Sequence, residues 1–330
     1  FSAAGASTLT LTGFGLSLAT DVDLSTLGVE TGRAYTATDG NGNGNLVISL
    51  TVAALPDPVA TVQVKVSTGG VKAVQSPLSV QHGQFDPLSI SGATLWLDAG
   101  DESTFTKSAN RVSKWEDKSG NRDFEQATGS EQPTYVPNTA GGGTGAFSGK
   151  GGALSIGEVA GTPTYLAAGG NVIFGGSGHV CTMFYVLSKR AVGGNSGWGD
   201  FVVIGPGSGH QLILRYHDGS SWLNNRWGVS GQSRLEGTST VDLGSKYLVT
   251  VTHKGTGVND TLRVNGVEED AVDMNFSIGS GHSSWNYHIG YSFAANVAEV
   301  EIAEILYYDS VLSNTDRDGV EAYLTGKWGV

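Results

Sequence analysis

The sequence has little cysteine, little positive charge and no long apolar run. Cys181 is its one cysteine, so no disulfide can close within the chain and no cysteine-based metal site is available. The setting of that residue, VCTMFYVLS, reads as a buried thiol acting as a small apolar group. No segment approaches the roughly 18 consecutive apolar residues of a membrane-spanning helix. Nineteen basic residues stand against 31 acidic ones, a formal charge of −12, and no Lys or Arg run is present. Phosphate recognition needs clustered cations, so nucleic acid and anionic membranes are poor partners for this chain. Three basic and six acidic residues precede Pro87, and 16 and 25 follow it. The chain starts at Phe1, without a charged-then-apolar leader, which reads as a removed leader or a start inside a longer product.

Glycine is what the chain has in quantity: 50 residues, with eight prolines, in a length of 330. Few stretches show helical spacing, so the class expected is all-β, many short strands joined by tight turns, in two domains. Strand-like runs at 8–12, 33–38, 46–53, 60–68 and 71–80 read as a small β-sandwich over 1–80. Val62, Val64 and Val66 alternate with Gln63, Lys65 and Ser67, the pattern of a half-exposed antiparallel strand. DGNGNGN at 39–45 is read as a turn; it lacks the acidic twelfth position of a calcium loop. QHGQFDPLSISG, with little periodicity, places a linker at 81–92 and a second domain at 93–330.

In that second domain 302–308 carries six apolar residues around Glu304, as a strand covered on both faces does. Ser313 can then cap a helix with Asp316 in its first turn. Val320, Tyr323, Leu324 and Trp328 recur at helical spacing, and Lys327 and Gly329 suit its end. TLRVNG at 261–266 is read as a hairpin, with Asn265 and Gly266 taking the positive φ angles of a type I′ turn.

Strand, YD turn, Leu-Ser cap and a helix ending KWG resemble the C-terminal signature of laminin-G-like jelly rolls of the concanavalin A type. LWLDAGDESTFT (95–106), VSKWEDKSGN (112–121) and QPTYVPN (132–138) continue the resemblance upstream. LTLTGFGLS with a late VKVSTGGV strand is similar to Ig-like folds of the IPT/TIG kind. The fold class implied is an N-terminal Ig-like sandwich followed by a jelly-roll sandwich with a short C-terminal helix. The jelly-roll resemblance also implies a possible rim calcium, with Asp98 and Asp101 as its ligands, and a place on a cell or virion surface.

For chemistry, EVEIAE at 299–304 is the sharpest feature. Glucanases on the same fold carry a similar carboxylate pattern, in which a bulge turns the groups onto one face, and retaining hydrolysis needs two carboxyls about 5 to 5.5 Å apart. Without a bulge Glu299 and Glu304 lie on opposite faces, and Glu304 reads as a buried or edge acceptor. No GxSxG elbow exists, and the histidines at 82, 179, 210, 217, 253, 282 and 288 are too scattered for zinc. Aromatic residues in polar loops are the better signal: Trp198 with Asp200; Trp222 with Asn224, Asn225, Arg226 and Trp227; Trp285 with Tyr287. A pyranose offers an apolar face to stack on and hydroxyls that need polar partners. At least two of the four tryptophans are expected to plug the core instead.

The function expected is a non-catalytic display module of a phage particle or cell surface. Its first domain docks on a scaffold protein, its second binds host glycan or protein, and it works as an oligomer or multicopy array without a cofactor beyond that calcium. A purely structural decoration protein and a glycosidase using Glu299 and Glu304 are the alternatives.

Overall fold

The structure is a computed structural model. It describes the backbone of strands at 5–12, 19–23, 36–38, 45–52, 59–68, 71–72 and 76–81, and of residues 85–137, 145–147, 149–159, 162–168, 180–190, 198–205, 212–217, 222–227, 234–255, 257–273, 286–290 and 299–330. Side chains are described for the same residues except 5–81, 158–159, 198–201, 203–205, 212–217, 222–227, 234 and 286. The chain divides into two units, Phe1–Asp86 and Pro87–Val330.

In the first unit β1 (Gly5–Thr12), β4 (Asn45–Val52) and β3 (Thr36–Thr38) form one antiparallel sheet. The strands β2 (Ala19–Asp23), β5 (Val59–Thr68), β6 (Val71–Lys72) and β7 (Ser76–Gln81) form another, with β2 and β6 pairing with the end of β5 and β7 with its first part, 59–64. The Ig-like packing expected here depends on side chains outside the described set, and the turn expected at 39–45 lies, apart from Asn45, outside the described residues.

The second unit is organised by its last strand. It begins with β8 (Ala93–Asp98), β9 (Phe105–Ser108), β10 (Arg111–Trp115), β11 (Phe124–Glu125), β12 (Thr134–Val136), β13 (Ala153–Val159), β14 (Thr162–Thr164) and β15 (Leu166–Ala168). Next come β16 (Cys181–Lys189), β17 (Trp198–Gly205), β18 (Leu212–His217), β19 (Trp222–Trp227) and β20 (Arg234–Glu236). The chain ends with β21 (Lys246–His253), β22 (Asp260–Val264), β23 (Val267–Val272), β24 (Asn286–Ile289), β25 (Val300–Tyr308) and α1 (Asn314–Trp328). These strands form one antiparallel ladder that closes on itself. β8, β25, β16, β21 and β22 make one layer; β10, β11, β15, β24, β17, β18, β19 and β20 make the other. The layers meet across a core that includes Leu97, Tyr185, Val249 and Ile305 from the first and Trp115, Phe124, Val202 and Ile289 from the second.

All nine residues of β25 and all nine of β16 are buried, which explains why neither shows polar alternation: each has the core on one face and a cover on the other. On β25, Val300, Ile302, Ile305 and Tyr307 belong to the core, and Leu306 and Tyr308 are buried on the opposite face, the side of α1. Strand β16 runs beside β25 throughout. On its other edge β25 pairs first with β13, at 300–302, and then with β8 from Glu304 onward. Ala303 is the extra residue at this change of neighbour, a β-bulge, and its carbonyl accepts from the Ala99 N–H at 2.9 Å.

The terminal helix matches its sequence signals. Ser313 Oγ accepts from the Asp316 N–H at 3.1 Å, and Gly329 takes a left-handed conformation (φ 68°) with its N–H on the Thr325 carbonyl. Val320, Leu324 and Trp328, four residues apart, are buried together. Two further anchors are polar: Glu321 accepts from Thr250 Oγ1 (2.8 Å) on β21 and from Arg263 Nε (3.0 Å) on β22. Among the described residues no helix is long and apolar enough to cross a membrane.

The quoted motifs have local reasons. In WEDKSGN the Asp117 carboxylate accepts from the backbone N–H groups of Trp96, Ser119, Asn121 and Arg122, while Trp115 is buried and stacks on Phe105 at 5.0 Å. Two adjacent glycines are needed for close packing: a Cβ on Gly151 would stand 2.6 Å from the Trp328 ring, and one on Gly152 would stand 2.1 Å from the Tyr135 hydroxyl. Asn265 (φ 49°) and Gly266 (φ 77°) make the expected turn between β22 and β23. Cys181 is fully buried, and burial pushes its thiol pKa up to about 12, so it stays a thiol.

Truncation at Leu324 tests the packing of α1. Leu324→Ala is expected to cost about 2–5 kcal/mol, because the pocket is closed on all sides. At roughly 2–4 °C per kcal/mol for a unit of this size, calorimetry should show Tm lower by about 10 °C; a shift under 2 °C contradicts the packing.

Candidate functional site

Glu304 and Glu301 are the two acidic residues of the otherwise apolar strand β25. The Ala303 bulge moves Glu304 onto the same face as Glu301, away from the core residues Ile302 and Ile305. The bulge that a hydrolytic arrangement would need is therefore present. The face it serves is closed. Glu304 is 0 % exposed, and its oxygens are taken in pairs: Oε1 accepts from Trp96 Nε1 (2.8 Å) and the Tyr323 hydroxyl (3.0 Å). Oε2 accepts from Lys327 Nζ (2.7 Å) and Trp328 Nε1 (2.6 Å). A nucleophile or general acid needs a lone pair or proton within reach of substrate; here four donors, three of them on α1, occupy the carboxylate.

The expectation of a glycosidase on Glu299 and Glu304 is corrected by this geometry: the carboxylate fastens the helix. Glu301, 3 % exposed, is also engaged, by the Ala146 N–H (2.7 Å) and Arg190 Nε (3.4 Å). Glu299 packs its side chain against Gly157.

Asp98 and Asp101 do come together, but around ammonium groups. Asp98 Oδ1 accepts from Lys327 Nζ (2.6 Å) and the Gly100 N–H (3.0 Å), and its Oδ2 from Lys118 Nζ (3.2 Å). Lys118 also reaches Asp101 Oδ2 (3.1 Å) and lies over the Trp96 ring at 4.3 Å. The result is a chain of alternating charge, Asp101–Lys118–Asp98–Lys327–Glu304. A calcium ion wants six to eight oxygens, and here it would sit against two cations, so the rim-calcium expectation is corrected: lysines hold these carboxylates. Among the described residues no group of three or more His, Cys, Asp or Glu is arranged to hold a metal.

Electrostatics follow the contacts. Burial, the largest influence, raises the Glu304 pKa, opposed by Lys327 and aided by Asp98. Burial opposes the charge on Lys118, yet Asp98 and Asp101 raise its pKa overall. The hydrogen bond from Ser103 lowers the pKa of Asp101, with Lys118 adding to it. His253 and Asp260, both about 1 % exposed, pair inside the fold with Nδ1 3.0 Å from each carboxylate oxygen.

The expected glycan residues are distributed by strand register. The stretches expected as loops at 198–200 and 222–227 are strands; aromatic and polar residues in irregular order hid them. Cross-strand pairing aligns Trp198 with His217 and His217 with Trp222. A second row aligns Asp200, Arg215, Asn224 and Glu236. A third aligns Val203, Ile213, Arg226 and Arg234. The alternate positions include Val202 and Leu235, both fully buried in the core. Alternation therefore puts the three rows on the layer's face away from the core.

The same register puts Asn225 and Trp227 on the core-side positions, Asn225 in the row of Leu235. Tyr287 is 2 % exposed, with its hydroxyl 3.3 Å from that of Tyr185, so its expected glycan role is corrected to a core role. Trp285 lies outside the described residues. Arg215, His217, Arg234 and Glu236 join the face without having been singled out from sequence. Alternation in LILRYH, three apolar residues against Ile213, Arg215 and His217, was the available signal.

No family model and no curated protein matches the chain. Among solved structures it is similar to Domain 4 of AbnA, a GH43 extracellular arabinanase from Geobacillus stearothermophilus, in complex with arabinotriose (TM-score 0.46, 14 % identity, 71 % of this chain and 98 % of that one). It is also similar to the binding domain of Botulinum neurotoxin DC in complex with rat synaptotagmin II (0.49, 11 %, 71 % and 52 %). A third is Trypanosoma rangeli sialidase in complex with sialic acid (0.49, 14 %, 88 % and 42 %). The chain thus spans about half of the toxin domain and less than half of the sialidase.

Two predictions test the network. Glu304→Ala leaves two indole N–H groups and the Tyr323 hydroxyl without this acceptor and Lys327 with Asp98 as its remaining carboxylate, and is expected to cost about 3–5 kcal/mol, seen as a Tm loss of roughly 10 °C. A loss below 1 kcal/mol contradicts the fastening role. Burial, opposed by the Ala146 N–H and Arg190, holds the Glu301 pKa above its ordinary value. A raised carboxyl pKa contributes stability that is present below the ordinary value and lost as pH rises through the folded one. The Tm of Glu301→Gln relative to the unaltered chain should therefore climb as pH rises from about 4 to 7; a flat or falling difference refutes it.

Proposed function

We propose that the chain is a non-catalytic recognition module displayed on the exterior of a cell or virion, and that it binds surface glycan through the outward face of β17–β20. One observation carries the reading: register gathers Trp198, Asp200, Trp222, Asn224 and Arg226 on the face opposite Val202 and Leu235. Rings beside amides and charges suit a sugar, whose ring face stacks while its hydroxyls bond. The burial of Glu304 under four donors supports the non-catalytic part.

The first unit serves in this reading as the attachment to a scaffold protein. Individual contacts would be weak, and a homo-oligomer or multicopy array would raise retention without new contacts. A net charge of −12 keeps crowded copies apart.

Retention on immobilised cell-surface polysaccharides tests this. Trp198→Ala and Trp222→Ala are each expected to reduce retention at least tenfold, about 1.4 kcal/mol, while Trp227→Phe retains it. Retention on no polysaccharide, or retention indifferent to both alanine variants, would falsify the reading.

A further inference from the structure

Asparagine loses its side-chain ammonia most readily when glycine follows, because a residue without a Cβ leaves the attack unhindered. This chain holds the pair three times, at 41–42, 43–44 and 265–266, and the last lies among the described residues. Asn265 (φ 49°) and Gly266 (φ 77°) form the corner of the β22–β23 hairpin, with Asn265 exposed.

Two anchors hold that corner. Asn265 is clamped to β21: its N–H donates to the Leu248 carbonyl (2.8 Å), and its Oδ1 accepts from the Leu248 N–H (2.8 Å). The Gly266 carbonyl accepts from the Arg263 guanidinium, which also reaches Glu321 of α1 at 3.0 and 3.1 Å. β21 lies along one edge of β22 and β23 along the other. The clamp therefore turns the Asn265 side chain toward β21, while the chain at Gly266 leads away into β23.

Deamidation requires the opposite arrangement. The Gly266 nitrogen gives up its proton and bonds to Asn265 Cγ; the bond from Cγ to the side-chain nitrogen breaks, and ammonia leaves with that proton. Water then opens the resulting cyclic imide at either carbonyl and leaves aspartate or isoaspartate at position 265. The balance is one water consumed and one ammonia released. With the side chain clamped, the attack waits on opening of the turn, and its rate follows the population of the opened form.

We infer that Asn265 is a modification site gated by the β22–β23 hairpin: the folded turn shields it, each opening exposes it, and the isoaspartyl product prevents the turn from reclosing. Isoaspartate carries the main chain through the former side chain, one methylene longer, which no longer fits the paired positive φ angles of a type I′ turn. The Gly266 carbonyl then leaves Arg263, and the link from the hairpin to α1 through Glu321 is weakened.

The test incubates the full chain at mildly alkaline pH, in buffer and in urea, and follows the three Asn-Gly peptides by mass spectrometry. In urea all three are expected to convert alike. Asn265 should convert at least about tenfold more slowly in buffer than in urea, a factor equivalent to about 1.4 kcal/mol of opening. The isoaspartyl protein, separated by ion exchange, should melt below Asn265→Asp, which adds the same charge on an unaltered main chain. Equal rates at Asn265 in buffer and urea overturn the gating. Conversion at 41 and 43 but not at 265 in urea removes the site. An isoaspartyl form that melts level with Asn265→Asp overturns the effect on the turn.

Discussion

The Glu304 carboxylate sits where no water reaches it and must be satisfied by the protein. An isolated buried charge is costly, and a paired one is tolerable only when its lone pairs are filled. Here the filling comes from Trp96 on β8 and from Tyr323, Lys327 and Trp328 on α1. One side chain thereby joins the first strand of the unit, the last strand and the terminal helix. The lysine that neutralises it also reaches Asp98, so the seal extends to the turn after β8. The same contacts explain the spacing of the terminal motif: Tyr323, Lys327 and Trp328 lie on one side of a helix, with a glycine stop beyond them.

A two-layer β body has two outward faces, and this one treats them differently. The face of the β25 layer is covered by α1, with Phe184, Leu306 and Tyr308 buried beneath. The carboxylates that a bulged strand could have offered to a substrate are consumed in holding that cover down. The face of the β17–β20 layer carries the aromatic, amide and guanidinium positions. Chemistry is thus withdrawn on one side, and recognition is proposed for the other.

The terminal strand, the Ser313 cap, the buried helical face and the Asn265–Gly266 turn were legible because each is written in residues adjacent in the chain. The partners of Glu304 were not. Trp96 stands 208 positions away, and nothing in a run of apolar letters marks Ala303 as the extra residue that decides which face Glu304 occupies. Asp98 and Asp101 were legible as neighbours, but the cations between them come from positions 118 and 327. The start of β17, at 198–200, and the whole of β19 read as loops because glycine, serine and asparagine flank rings there. Only cross-strand register separates Trp222 from Trp227, two tryptophans of one short strand on opposite faces.

The central claim is that helix and sheet are fastened at Glu304 into one cooperative unit. Native-state hydrogen exchange of the Trp96 and Trp328 indole N–H groups, compared with the backbone amides of β25, measures this directly. The account predicts that both indoles exchange only through the same opening that frees β25. Indole exchange orders of magnitude faster than those amides, with β25 still protected, would show that the helix opens alone and would contradict it.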